Sequence, residues 1–170
     1  MRKIGIIAVL SLMALALAAV PALARTNFAN APQGAHYAKG YSEPVCTVSG
    51  VTVTCTATQI AGVGNTNALV KLVVNNSITG VCENPGSKNK VVEPFTRTRT
   101  TETSTELTST KNGRLIVPEQ TAKGTSTQQF LSTFTCPNPN WTPTVTSNVL
   151  SYTYTLTFAG FDAPAIRITG

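Results

Sequence analysis

The sequence is poor in the side chains that most catalytic and metal sites use. Among its 170 residues there are one histidine, seven acidic residues and one tryptophan, and 12% of the residues are charged. So few histidines and carboxylates argue against a kinase, a hydrolase or a site with several metal ligands. We therefore expect a non-enzymatic protein without a cofactor. A hydrolase that gathers carboxylates from distant strands is the weaker alternative.

Long apolar runs are absent except at the N-terminus. Two basic residues follow Met1, an apolar run extends from Ile4 to Val20, and Pro21 precedes the small-residue box Ala22-Leu23-Ala24. This pattern predicts a signal peptide over residues 1–24, cleaved before Arg25. The product is expected to be secreted or at the cell surface, with no membrane span after cleavage.

The net charge of +6 is spread along the chain rather than concentrated. No basic stripe is interleaved with aromatic residues, so nucleic acid is not an expected partner. A weakly positive surface suits an anionic cell wall, although ordinary solubility is the better explanation of it.

Amphipathic helical patterns are also missing after residue 24. This part of the sequence is instead rich in threonine, with 28 threonines. The residues from Leu150 to Phe158 alternate between large apolar side chains and hydroxyl side chains, which is the period of a half-exposed strand. Similar patterns predict strands near 45–48, 51–58, 67–74, 78–83, 90–100, 102–110, 113–117, 127–136, 142–147 and 164–169.

Short strands at this spacing predict an all-β fold, an antiparallel immunoglobulin-like β-sandwich over residues 45–170, with a small β-barrel as the alternative. Residues 25–44 mix Ala, Gly, Asn and Pro without a period, which predicts a flexible arm. The segment from Thr96 to Thr110 contains no Gly or Pro. It is either one long edge strand or two strands that meet at a bulge.

The four cysteines of an exported chain are expected to form disulfides. A tight turn at Gly50-Val51 would place Cys46 opposite Cys55, with Val48 and Val53 on the same face. This pairing leaves Cys82 and Cys136 to each other. A zinc site is the alternative, but the sequence has no C-x-x-C pair.

Several other patterns are candidate sites, and each has a simpler structural explanation. His36 lies in the predicted arm without an orienting carboxylate, and Glu102 and Glu106 would lie about 13 Å apart along a strand. Gly62-Val63-Gly64 lacks the helix and third glycine of a phosphate loop. Oxygen ligands for Ca²⁺ would have to come from dispersed residues, namely Asn65, Asn67, Glu83, Asn84 and Asp162.

Repeated Thr-x-Thr steps could present hydroxyl groups to ice or carry O-linked glycans. They occur at 52–58, 96–100, 142–146 and 153–157. Ice binding would favour a repeat of fixed length, and we find none. The high strand propensity of threonine explains the pattern more simply.

The only tryptophan lies in a loop between Cys136 and Thr142. Trp141 follows Asn138 and Asn140, and an aromatic ring beside amide groups suits stacking on a sugar. We therefore name Asn138, Asn140 and Trp141 as candidate ligand-binding residues. A buried tryptophan at the start of a strand is the alternative.

This loop and the threonine-rich strand after it resemble a segment of small exported bacterial proteins of unassigned function. The early cysteine-containing strands and the loop from Gly62 to Asn65 resemble the same proteins. The resemblance covers about half of residues 25–170 and leaves out Arg97 and Arg99. It implies a disulfide-linked β-domain, and it offers no catalytic residues to transfer.

Together these observations predict a secreted, non-enzymatic structural or adhesive protein at a bacterial cell surface. Its partner would be a cell-wall glycan or another surface protein. An exported inhibitor or small-molecule carrier is the alternative, acting through an exposed loop or a cavity between sheets.

Overall fold

A computed structural model describes residues 23–86 and 90–170. The fold is all-β, with antiparallel sheets, one 3-10 turn (Phe28–Asn30) and one short helix, α1 (Thr127–Leu131). The strands are β1 (Leu23–Thr26), β2 (His36–Tyr37), β3 (Cys46–Ser49), β4 (Thr52–Cys55), β5 (Thr58–Ala61), β6 (Ala68–Asn84), β7 (Lys90–Leu107), β8 (Arg114–Val117), β9 (Gln120–Lys123), β10 (Thr142–Phe158) and β11 (Ile166–Thr169).

Three long strands dominate the fold. Strands β6, β7 and β10 have 17, 18 and 17 residues, so each is about 55 to 60 Å long at 3.3 Å per residue. They belong to a five-stranded sheet with the order β1-β11-β10-β6-β7. Two three-stranded sheets, β2-β5-β8 and β3-β4-β9, complete the described fold.

The small sheets cover only one part of the long strands. We call this the proximal part (residues 68–75, 100–107 and 151–158) and the rest the distal part (residues 76–84, 90–99 and 142–150). In the proximal part, alternate side chains of β6 and β10 are buried in one apolar core with β4, β5, β8 and β11. This core includes Val53, Ile60, Val70, Leu72, Leu115, Tyr154, Leu156, Ile166 and Ile168.

The distal part has a second, smaller core. Phe130 of α1 is fully buried and packs with Ile78, Phe95 and the half-buried Phe134. The rings of Phe130 and Phe134 stack with centroids 4.9 Å apart. This core therefore depends on the helix and its flanking loop rather than on another sheet.

A polar contact lies between the two cores. Asn76 is fully buried, and its side-chain N–H donates to Asn148 Oδ1 at 2.8 Å. Asn76 Oδ1 accepts the backbone N–H of Thr125 at 2.8 Å, and the Asn148 amide donates to the Thr125 carbonyl at 2.9 Å. The two amides thus tie the loop before α1 to the middle of the sheet. We call this contact the asparagine seam.

The all-β class and both disulfides are confirmed. Cys46 pairs with Cys55 across β3 and β4 with Cα atoms 3.9 Å apart, and Cys82 bonds to Cys136. Gly50 supplies the positive φ of the intervening turn, at 59°. The immunoglobulin-like arrangement stays a prediction, because the described sheets do not decide it.

Several strand boundaries were wrong. The strands predicted at 67–74 and 78–83 form one strand, β6, and those at 142–147 and 150–158 form β10, with a bulge between Val145 and Ser147. The segment from Thr96 to Leu107 belongs to a single edge strand, β7. Strand β9 was not predicted.

The strand predicted at 127–136 is also wrong. Ser126 caps α1 by accepting the N–H of Gln129 at 3.1 Å, and Phe130 anchors the helix in the distal core. The cap satisfies one of the backbone donors that a helix start leaves free. Local capping and one buried ring therefore outweigh the strand propensity of the neighbouring threonines.

Residues 25–44 are not a separate arm. Strand β1 pairs with β11, and β2 pairs with β5. Ala31 and Ala38 are buried, and the rings of Phe28 and Tyr37 pack edge to face at 5.1 Å. The predicted signal peptide lies outside the described residues except for Leu23 and Ala24, which belong to β1.

Candidate functional site

The five-stranded sheet has one face covered by the cores and one outer face. On β10 the side chains of Tyr152, Tyr154, Leu156 and Phe158 are buried, while the hydroxyl residues between them are on the outer face. The alternation predicted for residues 150–158 is therefore confirmed. The same alternation on β6 and β7 gives the outer face further hydroxyl groups, at Ser77, Thr79, Thr96, Thr98, Thr100 and Ser104.

Register aligns these groups in rows across the strands. Thr98 is opposite Ser77, and Thr96 is opposite Thr79. Thr100 is opposite Asn75, and Thr100 Oγ1 donates to Asn75 Oδ1 at 2.7 Å, so side chains within one row bond to each other. The outer face is thus a broad surface of hydrogen-bonding groups with few large apolar side chains, and Leu69 and Val149 are the exposed exceptions among the described residues of this face.

A groove with a volume of about 670 Å³ lies at the proximal end of this face. Its lining includes Leu69 and Lys71 from β6, Glu106 from β7 and Thr155 and Thr157 from β10. Phe161, from the turn between β10 and β11, adds an aromatic ring. The groove therefore combines a partly apolar surface with hydroxyl and charged groups that can bond to a polar ligand.

Backbone hydrogen bonds hold the turn that carries Phe161. The N–H of Ala159 donates to the Asn67 carbonyl at 2.9 Å, and the N–H of Phe161 donates to the Phe158 carbonyl at 3.1 Å. Gly160 has a φ of 85°, a backbone conformation that residues with a Cβ seldom adopt. These contacts hold the turn, and the half-buried Phe161 ring packs against the proximal core.

Charge in the groove is partly compensated. Lys71 Nζ lies 2.9 Å from Glu102 Oε1, and both side chains are over a third exposed. Glu106 has no ion-pair partner among the described residues. The groove thus offers a cation, a free carboxylate and two hydroxyl groups within one surface.

The predicted ligand loop is arranged differently. Asn138 Oδ1 accepts the N–H of Asn140 at 3.0 Å, and the Asn138 carbonyl accepts the N–H of Trp141 at 3.0 Å. Trp141 is half-buried against the distal core. A second groove of about 410 Å³ is lined by Cys136 and Pro137 but by none of the three named residues. Ligand binding by this loop stays a prediction.

The remaining candidate residues are not brought together. His36 is exposed, with Nδ1 2.7 Å from the Gly34 carbonyl. Gly62 and Gly64 have positive φ, and a Cβ on Gly62 would collide with the backbone of Gly34, so close chain approach explains this loop.

The dispersed oxygen ligands are used elsewhere or stay apart. Asn67 Oδ1 accepts the N–H of Ser109, Asn84 Oδ1 accepts the N–H of Gly86, and Glu83 accepts the Thr144 hydroxyl. Within residues 23–86 and 90–170, no group of three His, Cys, Asp or Glu side chains is close enough to hold a metal ion.

Two tyrosines, the half-buried Tyr37 and the fully buried Tyr154, have raised pKa values. Burial raises the pKa of Tyr37 to about 12, despite the hydrogen bond from its hydroxyl to Thr26 Oγ1 at 2.6 Å. Thr26 in turn donates to Glu43. Burial also raises the pKa of Tyr154, whose hydroxyl has no hydrogen-bond partner in the described part of the chain. Both tyrosines are thus held neutral inside the proximal core.

Sequence reasoning missed most of the groove. The sequence marks Thr155 and Thr157 only as part of a Thr-x-Thr step, and nothing in it singles out Lys71 or Phe161. The alternation of residues 150–158 indicated an outer face. However, the neighbours across β6 and β7 follow from strand register, which the sequence pattern alone did not specify.

No family model, curated protein or solved structure matches the chain. In the described residues, no helix is long and apolar enough to cross a membrane.

Proposed function

We propose that this is an exported, non-enzymatic adhesive protein that binds a glycan of the bacterial cell surface through the outer face of its long sheet. The observation that carries the proposal is the groove beside Lys71, Thr155 and Phe161. Its volume of about 670 Å³ lies within the range of small-ligand sites. Export is supported by the predicted signal peptide and by two disulfides, which persist in oxidising compartments.

The groove suits a sugar for chemical reasons. An aromatic ring can pack on the apolar side of a sugar ring, while hydroxyl and charged side chains bond to its hydroxyl groups. We favour the groove over the loop at Trp141, because Asn138 Oδ1 is used within that loop and none of Asn138, Asn140 and Trp141 lines either groove. The proposal does not depend on whether the sheets form an immunoglobulin-like sandwich.

Binding to purified cell wall and to a glycan array tests the proposal, using the exported and oxidised protein. The variant Thr155→Val/Thr157→Val removes two hydroxyl groups from the groove while keeping β-branched side chains. We expect it, and Phe161→Ala, to weaken saturable binding at least tenfold. The matched control is Thr96→Val/Thr98→Val, which makes the same change on the outer face away from the groove.

Other outcomes would contradict the proposal. No saturable binding at high micromolar concentration would exclude the glycan role, and a search for a protein partner or a carried small molecule would follow. Loss of binding in Trp141→Ala, with the groove variants unaffected, would return the site to the loop after Cys136.

A further inference from the structure

Two arginines face each other on the outer face beside the groove. Arg25 of β1 is directly opposite Arg167 of β11, and both are exposed. The flanking residues of β11, Ile166 and Ile168, are buried on the other face. Both arginine side chains therefore leave the sheet on its outer side, from Cβ atoms about 5 Å apart.

This pair carries an energetic cost that no described contact offsets. Like charges directly opposite on neighbouring strands destabilise a sheet. Neither guanidinium has a carboxylate within ion-pair distance among the described residues, where Lys71 and Glu102 form the ion pair. In the proximal part, the acidic groups of the outer face are Glu102 and Glu106 of β7, which is three strands away from β11, or about 14 Å.

Contacts of the two residues after Arg25 hold the end of β1 in the sheet. The next residue, Thr26, bonds to Tyr37 and Glu43, and the N–H of Asn27 donates to the Ala165 carbonyl at 2.7 Å. Cleavage before Arg25 would remove the pairs that Leu23 and Ala24 make with β11, so the place of Arg25 opposite Arg167 would depend on these contacts of Thr26 and Asn27. Fraying of the strand end is therefore limited by contacts immediately after it.

The arginine pair is continuous with the groove. Across the sheet, Arg167 is opposite Thr155, and Thr155 is opposite Lys71. Thr155 and Lys71 both line the groove. One row of side chains thus runs from the groove to the two guanidinium groups, about 5 Å per strand.

We infer that Arg25 and Arg167 bind an oxyanion carried by the glycan, so that the ligand class is an anionic glycan bearing carboxylate or phosphate groups. A planar guanidinium can donate two parallel hydrogen bonds to either group. An oxyanion between the two arginines would also remove their mutual repulsion. This inference rests on the proposed function, since the sugar itself occupies the groove.

The test compares three probes on the exported, oxidised protein: a uronic-acid oligosaccharide, a glycerol-phosphate polymer and a neutral oligosaccharide of similar length. We expect at least one anionic probe to bind ten times more tightly than the neutral one. The two anionic probes distinguish a carboxylate ligand from a phosphate ligand.

The variant Arg25→Gln/Arg167→Gln should abolish that preference while leaving binding of the neutral probe unchanged. Its matched control is Lys111→Gln/Lys123→Gln, which lowers the net charge equally at exposed positions outside the row and the groove. The thermal midpoint provides an independent readout. It should stay equal or rise in the arginine variant, and the preferred probe should raise it only in the parent protein.

Three outcomes would overturn the inference. They are equal affinity for anionic and neutral probes, an equal loss in the lysine control, and a fall in the thermal midpoint of the arginine variant without any probe, which would make the arginines structural. Absence of binding to all glycans would instead overturn the proposed function. The two failures are therefore distinguishable.

Discussion

The proximal and distal parts of the long sheet use the same three strands but are covered in different ways. The proximal part packs on two small sheets and shares a large apolar core with them. The distal part is covered by a short helix, a few aromatic rings and the Cys82–Cys136 disulfide. Because apolar burial is the main source of stability, the distal part should open first.

This difference suggests a division of roles. The groove and the arginine pair lie on the proximal part, where the well-packed core fixes strand register behind them. A binding surface benefits from such support, since side chains that are already positioned lose less entropy on binding. The distal part extends the hydroxyl surface, but its stability depends on the short helix, the aromatic rings and the Cys82–Cys136 disulfide.

The largest effect is expected from the distal disulfide. Cys82→Ala/Cys136→Ala opens a loop with a sequence separation of 54 residues and should lower the free energy of unfolding by about 4 kcal/mol. Hydrogen exchange should rise over residues 76–84, 93–99 and 142–150 and remain slow in the proximal part.

The matched control is Cys46→Ala/Cys55→Ala, whose sequence separation is 9 residues. It should cost about 3 kcal/mol and leave distal exchange unchanged. Equal loss of protection in both parts after removal of the distal disulfide would show that the long sheet unfolds as one unit.

The next largest effect is expected at the asparagine seam. Asn76→Ala leaves the Thr125 N–H without its acceptor and removes the donor to Asn148. Unsatisfied buried polar groups of this kind should lower the free energy of unfolding by about 3 kcal/mol, measured by urea denaturation.

The neighbouring variant Asn75→Ala serves as the control, because Asn75 is on the half-exposed outer face and accepts a hydrogen bond from Thr100. It should cost about 1 kcal/mol or less. A cost for Asn76→Ala no larger than that for Asn75→Ala would show that the seam does not connect the two parts.

The seam also explains what the sequence predicted well and what it did not. Asn75-Asn76-Ser77 is typical of a turn, since these side chains often bond to nearby backbone. Here Asn76 makes such bonds to the backbone of Thr125, a residue remote in sequence, and β6 continues without a turn. A residue pattern identifies a polar group that needs partners, but it does not say where in the chain those partners are.

By contrast, the Cys46–Cys55 pair and the alternation from Leu150 to Phe158 were predicted correctly, because both follow from local strand geometry. The pairing of Arg25 with Arg167 depends on β1 and β11, which are at opposite ends of the chain. The candidate site therefore required the structure, whereas its strand-rich scaffold did not.

A smaller effect should distinguish two tyrosines within the proximal core. Tyr154→Phe removes a buried hydroxyl that has no hydrogen-bond partner in the described residues and should raise the free energy of unfolding by about 1 kcal/mol. Tyr37→Phe breaks the hydrogen bond to Thr26 and should lower it by about 1 kcal/mol. Urea denaturation at neutral pH measures both, and destabilisation of similar size in the two variants would show that Tyr154 contributes through its hydroxyl after all.

The same tyrosines predict a loss of stability at alkaline pH. Burial raises the pKa of Tyr37 from 10.0 to about 12 and also raises that of Tyr154. An unfolded tyrosine therefore releases its proton at a lower pH than the folded one, so the unfolded state is favoured as pH rises. The contribution of Tyr37 to the free energy of unfolding is complete below pH 10.0 and is lost as the pH approaches about 12.

Urea denaturation at several pH values between 9 and 12 measures this loss. The free energy of unfolding should decline less steeply with pH in Tyr154→Phe than in the parent protein. An equally steep decline in the two proteins would contradict this explanation.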